Sequence, residues 1–300
     1  MREGLQKDLD RGMLLIPRLS EVMEERADEE IRSVYENVRA TLRVPFVNFI
    51  FRVLANYPDY LGFAWGRIGP HLLTREFERA ADGLRARALL EPVPNPPEED
   101  WQALGDLKSI RAFTDTIHYV LPKLLLVVSA FDEGLGGELG KKEEVSEPAI
   151  APGVAEGTIA LPMVAEEEAS GELNRLFDEI RRRHGHPGVA SYYRAIGRWP
   201  QFLETVWERV GPLVGSETYE LRKGELLEEA RAVVLGLPLP NREEVTALGL
   251  DGKCLEELRA ILAVFRFRII PDTFLEVALI KAMLDGPEAA RTSRFSLAAA

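Results

Sequence analysis

The chain lacks several features that would point to particular classes of protein. It has one cysteine, Cys254, in 300 residues, which excludes an internal disulfide and any Cys-x-x-Cys redox or zinc motif. No stretch approaches the roughly 18 uncharged apolar residues of a membrane span. Residues 1–14 mix acidic and basic side chains, unlike a secretory signal. We therefore expect a cytoplasmic protein.

The chain also has fewer basic than acidic residues. The chain has 37 Lys and Arg against 49 Asp and Glu, a net charge of −12. Such a field repels phosphate, so we predict neither a nucleic acid nor a membrane as a partner. A site for an anionic small molecule would need a local Arg or Lys.

Signatures of common catalytic and metal sites are missing as well. There is no Gly-x-Ser-x-Gly elbow and no Gly-x-Gly-x-x-Gly after a strand. His184 and His186 stand one residue apart, but no Cys or carboxylate at ligand spacing accompanies them. We therefore predict an exposed turn there and no metal site.

What the chain does contain is an internal repeat of one helical segment. Residues 45–70 and 187–212 share nine identical pairs in 26 positions, each pair 142 residues apart. Unrelated segments would match at roughly one or two of these positions, so the match indicates a repeat. The first-copy members are Pro45, Val47, Arg52, Pro58, Leu61, Trp65, Arg67, Gly69 and Pro70. Two copies in one chain usually pack about a pseudo-two-fold axis, like a homodimer with joined subunits.

Each copy is predicted to be all-α. Ala27, Ile31, Tyr35 and Val38 form a helical stripe that recurs in the second copy. Prolines predict helix boundaries at equivalent places, including Pro122 and Pro271, each in the first turn of a helix. We predict a first repeat over 1–131, a linker rich in Gly, Glu, Lys and Pro over 132–158, and a second repeat over 159–300 with a loosely held tail from residue 286.

The copies differ where a helix begins after the Pro-x-Val step. The first copy continues Asn48-Phe49-Ile50-Phe51, and the second Ala190-Ser191-Tyr192-Tyr193. The free N–H groups and positive end of a first turn favour an anion. Asn48 and Ser191 fit two interpretations equally: ordinary N-caps, or polar groups in a pocket on the axis.

These features resemble the group I 2-haloacid dehalogenases over about residues 15–285. The resemblance rests on the duplicated core and on motifs within it: Pro-x-Val, the Tyr57-Pro58 and Trp199-Pro200 steps, Trp65, Trp207, and the Leu-Pro-Lys-Leu-Leu run from Leu121. It implies two tandem all-helical repeats with one active site between them. It also implies hydrolysis without a cofactor, in which an Asp activates a water that displaces halide from C2 with no covalent ester.

The resemblance places Tyr192 where the family has its Asp. The family's Ser-Asp-Tyr-Arg stretch reads Ser191-Tyr192-Tyr193-Arg194 here, and an Asn of the family maps to Leu121. It therefore implies that Ser191, Tyr193, Leu121 and Asn48 surround the substrate. A tyrosine with a pKa near 10 is neutral and acts mainly as a donor.

Loss of the base predicts weak or absent hydrolysis, because general-base assistance is typically worth about 10²–10⁴ in rate. Only Asp115 or Asp272, if brought into the site, would restore it. Asp272 is the stronger of the two, although its place in a first turn also suits an ordinary helix-start charge.

Two functions stay open. One is a dehalogenase-family enzyme with a small organic-acid pocket between the repeats, for which a 2-substituted carboxylic acid is the expected ligand. The other is a non-catalytic small-molecule-binding or structural protein on the same scaffold. No cofactor is expected in either case, and the sequence is compatible with a homodimer.

Overall fold

The computed structural model describes residues 4–97, 100–140 and 150–298. Within these ranges the secondary structure is helical, and the β pairing is limited to an isolated bridge between Gly140 and Pro238. The prediction of an all-α fold is confirmed. None of the described helices is both long and apolar enough to cross a membrane.

The α-helices of the first half include one very long member, α6. They are α1 (Leu5–Leu15), α2 (Glu29–Leu42), α3 (Phe49–Leu54), α4 (Pro58–Ile68), α5 (Arg75–Ala88) and α6 (Leu107–Leu135). The second half ends in a long helix interrupted by a π-helical turn. Its elements are α7 (Gly171–His184), α8 (Ser191–Ile196), α9 (Pro200–Val210), α10 (Glu217–Val234), α11 (Arg242–Ala247), α12 (Gly252–Val264), the π turn (Phe265–Ile269), α13 (Ile270–Asp285) and α14 (Pro287–Arg291).

The helix bounds repeat with the same spacing as the sequence. Helices α2, α3 and α4 begin and end 142 residues before α7, α8 and α9, and α5 begins 142 residues before α10. Local signals explain the shared bounds, since Pro58 and Pro200 occupy the first turns of α4 and α9. The pseudo-two-fold relation between the halves stays a prediction.

Pro122 does not begin a helix, and this prediction is wrong. It lies inside α6, where its missing N–H leaves the carbonyl of His118 without its usual partner. The buried Arg85 compensates from α5. Its Nε donates to the His118 carbonyl at 3.4 Å and its Nη2 to the Tyr119 carbonyl at 3.1 Å. The helix continues because a side chain takes over the role of the missing backbone donor.

Pro271 does lie at the start of α13, as predicted, but no loop precedes it. The π turn joins α12 to α13, so one helical rod runs from Gly252 to Asp285. Single π turns are often found at functional sites. Here the first and last residues of the turn, Phe265 and Ile269, both line a cavity between the two halves of the chain.

The two halves share one continuous hydrophobic core. Helix α6 packs against α13, α1 packs across the seam on α12, and α14 packs on α5. The α1–α12 contact is close enough that a Cβ on Gly12 would lie 2.2 Å from the Ala260 carbonyl oxygen. Each terminal helix therefore packs on the other half of the chain.

The C-terminal tail is held more firmly than its composition predicts. Ala290 and Phe295 are buried, and the Ala290 carbonyl lies 2.9 Å from His118 Nε2. Ser296 Oγ donates to Asp82 Oδ2 at 2.5 Å. The sequence of this segment predicts a loose tail, because nothing local shows its burial. That burial depends on α5 and α6, which are distant in the chain.

The predicted linker over 132–158 is only partly an extended connection. Helix α6 continues through Leu135, and residues 141–149 lie outside the described ranges. Beyond them the backbone follows the first half: Ile150 N donates to the Leu73 carbonyl at 3.2 Å, and Gly153 N to the Ala40 carbonyl at 2.8 Å.

Candidate functional site

A central cavity of about 70 Å³ lies where the two halves meet. Each half supplies the start of a short helix, α3 or α8, and a stretch of long helix, α6 or the π turn with α13. The lining residues from the first half are Asn48, Phe49, Ile50, Ile117, Val120, Leu121 and Leu124. Those from the second half are Ala190, Ser191, Tyr192, Phe265, Ile269, Ile270 and Thr273.

Four of the residues singled out in the sequence line this cavity together: Asn48, Leu121, Ser191 and Tyr192. Neither polar residue at the helix starts is a side-chain N-cap. Asn48 precedes α3 without a capping hydrogen bond, and Ser191 is already inside α8, whose N-cap is Ala190. The Asn48 Oδ1 atom is buried and has no hydrogen-bond partner.

Tyr192 forms part of the cavity wall and is 2 % exposed. Its Oη lies 3.0 Å from Thr114 Oγ1, and its ring stacks on Phe113 with centroids 6.0 Å apart and planes 6° from parallel. Burial raises the pKa of Tyr192 well above its ordinary value, against a smaller lowering from the Thr114 hydrogen bond. The phenol is therefore neutral and cannot serve as a base.

The cavity wall carries no charged side chain in the part of the chain that the structure describes. The two acids considered from the sequence lie elsewhere. Asp115 pairs with Lys281, and Arg294 Nε lies 3.4 Å from its other carboxylate oxygen. Asp272 lies in a separate buried cluster, although its neighbour Thr273 lines the cavity.

That second cluster contains Asp272 and Glu276, which lie one turn apart on α13. Asp272 Oδ2 lies 2.9 Å from His186 Nε2, and its Oδ1 accepts from Lys223 Nζ at 3.0 Å. Burial opposes the charge on Asp272, but the hydrogen bond from His186 and the Lys223 ammonium hold the pKa of its carboxyl below the usual value.

Glu276 is the second acid of this cluster, and two tyrosines donate hydrogen bonds to it. It accepts from Tyr193 Oη at 2.6 Å and from Tyr219 Oη at 2.9 Å. Tyr193, predicted to contact substrate, thus has its hydroxyl on Glu276 and is not among the residues that line the cavity. In the described residues no group of three or more His, Cys, Asp or Glu side chains is arranged to hold a metal ion.

His184 and His186 are not in an exposed turn, so that prediction is wrong. His184 Nδ1 lies 2.8 Å from the Ile180 carbonyl and its Nε2 lies 2.5 Å from Glu276 Oε1. Both ring nitrogens face acceptors, which only the imidazolium satisfies. Burial opposes this charge, but the Glu276 carboxylate outweighs burial and raises the pKa of His184 to about 9. The two imidazole rings stack with centroids 4.5 Å apart.

A larger outer cleft of about 480 Å³ adjoins the central cavity. The two share Phe49, Ala190, Ser191 and Ile269 as lining residues. The cleft is charged, with Arg181, Arg194, Glu21, Glu166 and Glu167 in its wall. This cleft was not predicted from the sequence, because its acids come from segments outside the matched core of the repeat.

The repeated arginines have structural partners. Arg52 Nε donates to Glu21 Oε2 at 2.7 Å, and Arg194 Nε donates to the Val164 carbonyl at 3.0 Å. Arg194 differs from Arg52 in that its side chain lines the outer cleft.

Comparison with known proteins agrees with the resemblance seen in the sequence. A family model described as "Halocarboxylic acid dehydrogenase DehI" matches residues 45–193. The chain is 35% identical over 283 residues to a configuration-inverting 2-haloacid dehalogenase of Alcaligenes xylosoxydans xylosoxydans, a match that covers 89% of this chain and 94% of the relative. It is 28% identical over 265 residues to an (R)-2-haloacid dehalogenase of Pseudomonas putida, covering 83% and 87%.

Solved structures give the same answer. A D-2-haloacid dehalogenase in complex with L-LA superimposes with a TM-score of 0.78 at 27% identity, covering 89% of this chain and 96% of the other. A mutant of a D-2-haloacid dehalogenase in complex with D-2-CPA has the same TM-score at 26% identity. Together with the all-helical fold, these matches show that the chain belongs to the 2-haloacid dehalogenase family.

Proposed function

We propose that this protein binds a short 2-substituted carboxylic acid, or an uncharged derivative of one, in the central cavity, and that it hydrolyses a carbon–halogen bond there slowly or not at all. One observation carries the proposal. Tyr192, at the sequence position of the family's Asp, lies in the cavity wall as a buried, neutral phenol.

The size and lining of the cavity support a small ligand. A water occupies roughly 10–15 Å³ on this measure, so about 70 Å³ accommodates a molecule of a few heavy atoms, such as a three-carbon acid. Most of the wall is aliphatic or aromatic, which suits an alkyl group and a halogen. The adjoining outer cleft offers a route from solvent through the four residues that both spaces share.

The absence of a base in this wall supports weak or absent hydrolysis. Direct displacement of halide requires that a proton leave the attacking water, and a carboxylate accepts it readily at neutral pH. Tyr192 is a neutral phenol whose hydroxyl already shares a hydrogen bond with Thr114, and Asp115 and Asp272 are held in ion pairs away from the cavity. Loss of general-base assistance alone lowers the rate by about 10²–10⁴.

The experiment that tests the proposal is halide release from both enantiomers of 2-chloropropionate. Three chains are compared: wild type, Tyr192→Asp, and Tyr192→Asn as the matched control, since Asn has the size of Asp without its charge. We expect no release above buffer by wild type or Tyr192→Asn, and release at least about 10² faster by Tyr192→Asp.

Circular dichroism and thermal melting check that each variant folds, because replacing a buried aromatic side chain leaves a cavity that costs about 3–5 kcal/mol. Rapid halide release by wild type would refute the proposal that hydrolysis is weak or absent. If folded Tyr192→Asp were no faster than Tyr192→Asn, the assignment of residue 192 to the water-activating position would be wrong.

A further inference from the structure

The polar side chains that line the central cavity are Asn48, Ser191, Tyr192 and Thr273. The Ser191 hydroxyl can donate or accept and so favours neither kind of ligand, and two of the others are already paired. Tyr192 Oη and Thr114 Oγ1 share a hydrogen bond, and Thr273 Oγ1 donates to the Ile269 carbonyl at 2.7 Å. Asn48 is different. It lines the cavity, makes no side-chain cap to α3, and its Oδ1 is buried without a partner.

A buried acceptor without a partner favours a ligand that brings a donor. A carboxylate cannot do so, because an ionised carboxylate only accepts hydrogen bonds. A carboxylate could accept from Asn48 Nδ2, but it would still leave Oδ1 without a donor. A primary amide has the same planar shape, and its NH₂ group donates to such an oxygen.

Charge leads to the same preference. Among the residues described, none with a charged side chain lines this cavity, so a buried carboxylate would lose its hydration without gaining an ion pair. The first turns of α3 and α8, six residues each, offer an anion only partial positive charge. An uncharged ligand has no such desolvation to overcome.

We infer that the central cavity takes an uncharged small molecule with N–H donors, of the class of a short 2-substituted primary amide, in preference to the matching carboxylate. In this inference Asn48 Oδ1 accepts from the amide NH₂, while the aliphatic wall around Leu121 packs on the 2-substituent. The inference rests on the proposed function, in that the central cavity is the ligand site, and it narrows the chemical class of the ligand.

Isothermal titration calorimetry of the intact chain with three probes tests it. The probes, at pH 7 and equal ionic strength, are 2-chloropropionamide, 2-chloropropionate and methyl 2-chloropropionate. The ester is uncharged but has no N–H donor, so it separates charge from hydrogen bonding. We expect the amide to have a Kd at least tenfold lower than that of either other probe.

Two variants locate the donor contact. Asn48→Leu removes the acceptor, and we expect it to weaken amide binding at least tenfold and to abolish the preference for the amide over the ester. Asn56→Ala is the matched control, since Asn56 is an exposed residue just after α3 whose Nδ2 donates to the Ser20 carbonyl at 2.9 Å. The comparison of probes on wild type does not depend on either variant folding.

Each contrary result has a distinct meaning. If 2-chloropropionate binds as tightly as the amide, the inference is overturned and the proposed function stands. If the ester matches the amide, or Asn48→Leu leaves amide affinity unchanged, the donor contact with Asn48 is overturned. If none of the three probes binds the intact chain at millimolar concentration, the proposed function fails and the inference fails with it.

Discussion

The buried pair of His184 and Glu276 predicts a specific pH dependence of stability. In the folded chain His184 has a pKa of about 9, against an ordinary value of 6.5. A group whose pKa is raised by folding stabilises the fold in its protonated form. This contribution is complete below pH 6.5 and is lost as the pH rises through about 9.

The size of the effect follows from these two values. Each pH unit between them is worth about 1.4 kcal/mol, so the protonated pair contributes on the order of 3 kcal/mol. His184 is 2% exposed at its side chain and Glu276 is 1% exposed, so solvent screens the interaction little. Native proteins have a total stability of about 5–15 kcal/mol, so an effect of this size is measurable.

The perturbation is His184→Gln, which keeps a donor for Glu276 but does not titrate. Urea unfolding, followed by circular dichroism between pH 6 and 9.5, gives the free energy of unfolding of both chains. We expect wild type to exceed the variant by about 3 kcal/mol at pH 6, and the difference to shrink toward zero by pH 9.5.

The measured quantity is the difference in free energy of unfolding between wild type and His184→Gln. This difference is needed because Lys123 titrates in the same pH range and changes the stability in the opposite direction. Burial lowers the pKa of Lys123 to about 8, against the pull of Glu78, so its contribution to stability improves as the pH rises from 8. A difference between wild type and His184→Gln that stays constant from pH 6 to 9.5 would refute the assignment of a raised pKa to His184.

Two further predictions concern packing and a second buried pair. Gly12→Ala should lower the free energy of unfolding by about 1–3 kcal/mol, because its Cβ would collide with the Ala260 carbonyl. Gly66→Ala, with open space around it in α4, should instead raise the free energy of unfolding by about 0.5–1 kcal/mol. Equal effects of the two substitutions in urea unfolding would contradict the close α1–α12 contact. Lys123→Met should cost about 3–5 kcal/mol, because the buried Glu78 carboxylate loses its ammonium partner and keeps only the hydrogen bond from Tyr119 Oη. Adding Glu78→Gln should recover most of that loss, and a double variant no more stable than the single one would contradict this explanation.

Three residues of the cavity wall stand out in the sequence itself. Duplication marks where two copies diverge, and Asn48, Ser191 and Tyr192 stand at that divergence. All three lie in the wall of one cavity together with Leu121. The all-helical fold was predictable for a related reason, since helical spacing is a local property that the repeat displays twice.

Predictions failed where a distant residue decides the outcome. The local sequence around Pro122 predicts a helix start. The helix continues because Arg85, 33 residues before His118 in the chain, donates to the His118 carbonyl that Pro122 leaves without a partner. His186 reads as a turn residue because its partner Asp272 lies 86 residues away. One signal was available: two acids four residues apart, Asp272 and Glu276, stand in the mostly apolar first half of α13 and indicate buried partners of opposite charge.

Because Tyr192 cannot activate water, we expect the cavity between the halves to hold a ligand whose carbon–halogen bond survives. The most direct measurement is anomalous diffraction at the bromine edge from crystals soaked with 2-bromopropionamide and, separately, 2-bromopropionate. We predict a bromine peak inside the cavity beside Tyr192 and Leu121, at bonding distance from C2 of an intact molecule, and the stronger peak for the amide. A peak confined to other surfaces would show that this cavity is not the ligand site, and density for a hydroxy product with free bromide would show that the protein hydrolyses the bond.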